Sequence, residues 1–139
     1  MAVTLPVVAS KPALFSANST GRGQGAILNQ DGSPNTLANR AAKGSVIVLF
    51  GTGEGATTPA GVDGQLALAV YPKPVLPVTI TLGGQRIETI AYVGAAPGLV
   101  AGLFQLNVTI PESAPSGEIP IAVTVGGATS QTGLTVAIR

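Results

Sequence analysis

The chain has 139 residues, 45% hydrophobic and only 9% charged, with seven basic and six acidic positions that leave a net charge of +1. Sparse, scattered charge argues against nucleic acid as a partner, because that binding rests on neutralising phosphates. No apolar run reaches the roughly 18 residues of a membrane-spanning helix, and the lack of histidine and cysteine removes zinc, haem, thiol chemistry and every histidine-based triad.

The length suits one domain, residues 1–139, with a core large enough to stand without disulfides. With so few ions, the surface must be dressed in Ser, Thr, Asn, Gln and Gly, as is common in secreted and cell-surface β proteins. Such a surface also lacks the repulsion that keeps copies apart, so self-association is expected to be easy. Met1-Ala2 runs directly into a strand-like segment with no secretory signal. The chain is therefore either cytosolic or one part of a longer exported protein.

In chain order, Val3 to Val8 reads as a strand, demoted to an edge by Pro6, whose ring removes a ladder donor. Pro12 to Ala17 follows as a second short apolar piece. Residues 1–17 are thus candidates for a peripheral segment, or for strands donated to a neighbour. Asn18 to Gly25 is turn chemistry. Ala26 to Gln30 reads as a strand closing on Asp31-Gly32, a dipeptide favoured in tight hairpins. Ser33 to Lys43 is a polar loop or a single helical turn.

Gly44 to Gly64 organises the rest. Val46 to Phe50 is apolar, β-branched and too short for a helix, hence a strand buried on both faces or central in its sheet. It breaks into Gly51, Gly53, Gly55, Gly61 and Gly64 around Pro59, a density that demands a folded loop. Gln65 to Tyr71 alternates weakly, and Pro72, Pro74 and Pro77 force an extended crossover. Val78 to Leu82, turning at Gly83-Gly84 into Arg86 to Val93, reads as a hairpin. Leu103 to Ile110, Ile119 to Val125 and Thr132 to Ile138 complete the set. Short strands with turn signals every 8–12 residues are the rhythm of an antiparallel sandwich or barrel.

The block Gly44-Ser-Val-Ile-Val-Leu-Phe-Gly-Thr-Gly-Glu-Gly resembles the opening of the transcription-factor-like immunoglobulin (IPT/TIG) domains. The Gly126-Gly127-Ala-Thr-Ser turn with its final strand resembles their closing hairpin. Over essentially its whole length the chain resembles a paralogous C-terminal domain of large exported proteins from acidobacteria such as Solibacter. The matching motifs include Gly25-Ala-Ile-Leu-Asn-Gln-Asp-Gly, Pro59-Ala-Gly-Val-Asp-Gly, Pro74-Val-Leu-Pro-Val-Thr-Ile and Tyr92-Val-Gly-Ala-Ala-Pro-Gly-Leu-Val-Ala-Gly-Leu-Phe-Gln-Leu-Asn. The resemblance implies an all-β, immunoglobulin-like antiparallel β-sandwich of about seven to nine strands. It further implies an extracellular module of a bacterial parent protein, and carries over no catalytic residue.

Candidate sites are few. Gly51-Thr-Gly-Glu-Gly lacks the Gly-Lys-Ser/Thr ending and the helix of a phosphate loop, and reads as a connection between sheets. Asp31, Glu54 and Asp63 lie in carbonyl-rich loops that could hold calcium, although no Asp-x-Asp-x-Asp spacing exists and a turn role suits Asp31 and Asp63 better. Glu54 and Asp63 could form a glycosidase pair only if space brings them together. Phe50, Phe104 and Tyr92 are expected in the core. Tyr71, beside Pro72 and Pro74, is the one aromatic expected at the surface and a candidate glycan contact. Leu99 and Val100 sit where a solvated turn is expected, so their loop either folds onto the core or forms a contact patch. Val3, Leu5 and Val7 are the matching candidates for self-association by strand addition. The functional expectation is a non-catalytic module for surface presentation, adhesion or spacing, with loops at one end of the sandwich making contact. Alternatives are a self-assembling subunit, a carbohydrate-binding module and, last, a hydrolase dependent on Glu54.

Overall fold

A computed structural model describes residues 1–139. The chain is an all-β sandwich without a helix. Its long strands are β4 (Val46–Thr52), β7 (Val78–Leu82), β9 (Ile90–Ala95), β10 (Leu103–Thr109), β11 (Gly117–Val125) and β13 (Leu134–Ile138). Seven two-residue strands complete the sheets: β1 (Ala13–Leu14), β2 (Gly23–Gln24), β3 (Ile27–Leu28), β5 (Thr57–Thr58), β6 (Lys73–Pro74), β8 (Gln85–Arg86) and β12 (Ala128–Thr129). These short pieces take the count to thirteen, above the seven to nine expected.

One sheet runs β1-β4-β10-β9, with β3 also on β4; the facing one runs β2-β13-β11-β7-β8, with β12 on β11; β5 and β6 pair as a separate two-stranded sheet. Pairing is antiparallel except between β2 and β13. Strand β4 is central, as its apolar run predicts, but only Ile47, Leu49 and Gly51 face the core; Val46, Val48 and Phe50 are half-buried on the outer face. Phe104, Leu106 and Val108 of β10 alternate inward in the same way. They meet Ile80 and Leu82 of β7, Ile121, Val123 and Val125 of β11, and Leu134, Val136 and Ile138 of β13 in one hydrophobic cluster. Alternation of period two buries one face of each sheet against the other, which is why this pattern specifies a sandwich.

Two expected strands differ. Val3 to Val8 forms no strand; Val3, Leu5 and Val7 are exposed and no ladder takes them up. Pro6 breaks the donor series there, and the first hydrogen bond that ties the segment down is at Ser10, whose Oγ donates to Val125 O at 2.7 Å. Arg86 to Val93 is not one strand. Gln85–Arg86 pairs with β7, whereas Ile90–Ala95 pairs with β10 in the opposite sheet. The crossing is made at Ile87, 2% exposed, which inserts into the core while its N–H still donates to Ile80 O at 2.8 Å.

Candidate functional site

The loops that follow β4 gather at one end of the sandwich. Gly53 and Gly55 both have positive φ, and each lies so close to the N-terminal segment that a Cβ would overlap a carbonyl oxygen, of Lys11 and of Ala9 respectively. Only glycine lets the two chains cross at this distance. Lys11 N–H accordingly donates to Gly53 O at 2.9 Å, and Glu54, caught between the two glycines, is 6% exposed.

The next turn is held by Thr57, whose Oγ1 donates to Pro59 O and accepts from Gly61 N–H, both at 3.1 Å. Gln65 to Ala67 then clips onto the loop after β9. Ala67 N–H donates to Leu99 O at 2.7 Å, Gly98 N–H to Ala67 O at 2.8 Å, and Ala101 N–H to Gln65 O at 2.9 Å. Ala67 is buried by this clip, while Leu66, Leu68 and Val70 stay largely exposed. The Gln65 to Tyr71 alternation therefore puts its large residues outward, the reverse of a core strand.

A cleft of about 250 Å³ opens between these loops, lined by Glu54, Thr57, Pro59, Val62, Leu66 and Val70 among others. Glu54 is the only charged residue in that lining. Burial pushes its carboxyl above the ordinary value of 4.5, opposed only by its own backbone amide. Removing a carboxylate from water without a compensating cation favours its protonated form.

The remaining candidates distribute as follows. Asp63 shares a neighbouring hollow with Glu54, but Asp31 lines a separate polar hollow with Asn29, Asn39 and Arg139. The three acids named for calcium are thus not brought together, and no group of three His, Cys, Asp or Glu side chains converges anywhere in the chain. Asp31 instead holds its own turn, accepting from Ser33 N–H at 3.0 Å and from Ser33 Oγ–H at 2.5 Å. Those bonds keep its pKa below the usual value.

Leu99 and Val100 are exposed on the clipped loop, whereas Ala95 and Ala96 just before it are buried; the start of the stretch folds onto the core and its apolar tip does not. Tyr71 and Tyr92 are half-buried neighbours. Tyr92 is therefore not in the core, and its hydroxyl donates to Ala95 O at 2.7 Å. Its pKa is raised by burial and then by Tyr71.

Sequence reading missed the buried amides. Asn29 and Asn35 are buried and, with the half-buried Gln24, form a connected network; asparagine between turns carries no local sign of being buried.

Compared with protein-family models, curated proteins and solved structures, the chain matches none. No helix is long and apolar enough to cross a membrane.

Proposed function

We propose that this chain is a non-catalytic, immunoglobulin-like module of an exported bacterial protein, of the IPT/TIG-like kind that its glycine loop resembles. It serves adhesion or presentation by docking a partner on its loop end. The observation that carries this reading is the run Leu66, Leu68 and Val70, large apolar side chains left in water beside a cleft with one charged group. Exposed apolar side chains gathered round a concavity mark interaction surfaces in folded proteins.

Peptide libraries displayed on phage and panned on the immobilised domain test it. Enriched peptides are expected to bind at least about tenfold more weakly to Leu68→Asp than to the wild type. Peptides indifferent to that substitution would overturn the reading.

A second reading, self-assembly by strand addition, rests on the exposed, unpaired Val3, Leu5 and Val7. Light scattering decides it. Assemblies that dissolve on deletion of residues 1–8 support it, and a monomer with or without those residues ends it.

A further inference from the structure

Glu54 is the buried charge that the fold leaves uncompensated. The chain's single ion pair joins Arg86 to Glu88 at the surface, so no cation stands within ion-pair distance of the Glu54 carboxylate. A carboxylate partly withdrawn from water costs free energy unless it is paired. Nothing inside the molecule pairs it. The cleft it lines opens to solvent between the loops and is otherwise walled by neutral side chains, with Val62, Leu66, Leu68 and Val70 along it.

The chemistry of that lining selects its ligand. At about 250 Å³ the cleft falls below the roughly 300–1,000 Å³ usual for small-molecule sites, which suits one inserted side chain. A metal ion such as calcium needs six to eight oxygen ligands, and the cleft offers one carboxylate. Arginine would bring five N–H donors in a rigid fork and leave several unpaired against apolar walls. A lysine brings a compact ammonium for the carboxylate and a four-carbon stem for the apolar walls. The exposed Leu99 and Val100, clipped beside Leu66, extend the apolar surface beyond the cleft to the residues that would flank such a lysine.

We infer that the cleft receives a lysine side chain carried on an extended apolar peptide, with Glu54 as its counter-ion. This rests on the loop end being the docking face.

The test is a titration of the whole ¹⁵N-labelled chain, followed by NMR, with acetyl-Val-Lys-Val-amide and with the same peptide carrying norleucine for lysine. The lysine peptide is expected to shift the amides of Gly53 to Gly55, of Thr57, Thr58, Ala60 and Gly61, and of Ala101 and Gly102. The norleucine peptide should bind about tenfold or more weakly, and Glu54→Gln should erase the difference between them. Equal binding of the two peptides at the cleft overturns the ammonium assignment while leaving the docking face standing. Shifts confined to other surfaces, or none at millimolar peptide, overturn the assignment as well. So does calcium chloride reproducing the shifts around Glu54, because the carboxylate would then serve a metal. The comparison on wild-type protein needs no variant to fold.

Discussion

The side chain of Asn35 and the backbone of Ala137 are joined by two reciprocal hydrogen bonds, Nδ2 donating to the carbonyl at 2.9 Å and the Ala137 N–H donating to Oδ1 at 2.8 Å. The amide thereby takes the place of a neighbouring strand on the outer edge of β13. It sits between β2, which pairs with Leu134 and Thr135, and Ala41, whose N–H donates to the same Ala137 carbonyl. Asn35 also donates to Asn29 Oδ1 at 2.9 Å and accepts from Gln24 Nε2 at 2.7 Å, so both donors and both lone pairs are used. At the other sheet, Gln131 grips the backbone N–H and C=O of Leu14 in the same two-pronged way. Covered edges cannot recruit a foreign strand.

Replacing Asn35 by alanine strands several of these buried groups at once. Each unmet buried partner costs about 1–3 kcal/mol, so a loss of about 3 kcal/mol is expected. Urea unfolding measures it, and a midpoint within error of the wild type would show that the network is dispensable. Asn35→Asp is expected to be at least as damaging, since it turns the two donors into acceptors facing Asn29 Oδ1 and Ala137 O.

Two glycines separate close approach from mere turn composition. Gly53→Ala forces a side chain to a positive φ and against the Lys11 carbonyl, with an expected loss of about 3 kcal/mol. Gly127→Ala meets no atom within 4 Å and is expected to stay within about 0.5 kcal/mol of the wild type. Thermal unfolding of the pair checks the contrast; equal effects would mean that the loop crossing at Gly53 does not support the fold.

Glu54 sets a pH dependence whose sign follows from its raised pKa. The folded chain holds this proton at pH values where the unfolded chain has released it. Its contribution is therefore full below the ordinary value of 4.5 and declines as pH rises through the folded value. Glu54→Gln is expected to melt above the wild type at pH 7, with the gap closing as pH falls towards 4.5. Asp63, the other acid of the adjoining hollow, is unchanged in both proteins and drops out of the difference. A gap that does not vary with pH would contradict the burial argument.

Truncation marks where the domain begins to hold its N-terminal segment. Deleting residues 1–8 removes no ladder pairing and is expected to leave the unfolding midpoint within about 0.5 kcal/mol of the full chain. Deleting residues 1–11 also removes the Ser10 bond to Val125 and the Lys11 bond to Gly53, for an expected loss of about 1–3 kcal/mol. Equal stability of the two truncated chains would place the docking later in the sequence.

The β class, the central position of Val46 to Phe50, the glycine loop after it and the turns at Asp31-Gly32 and Gly83-Gly84 were all legible in the amino acids alone. Each rests on local chemistry: β-branched alternation, the positive φ that glycine permits, and side chains that bond their own turn. Three other features depended on partners distant in the chain. The Arg86 to Val93 stretch alternates in much the same way whether it stays in one sheet or crosses to the other, and burial of Ile87 between the sheets decides for crossing. Leu66, Leu68 and Val70 have a strand's periodicity, and the clip of Ala67 onto Leu99 turns them to solvent. Glu54 looks like any loop acid until Gly53 and Gly55 admit the N-terminal segment against it. Local pattern selects which residues can form strands and turns; long-range contact alone selects which of them lose their water.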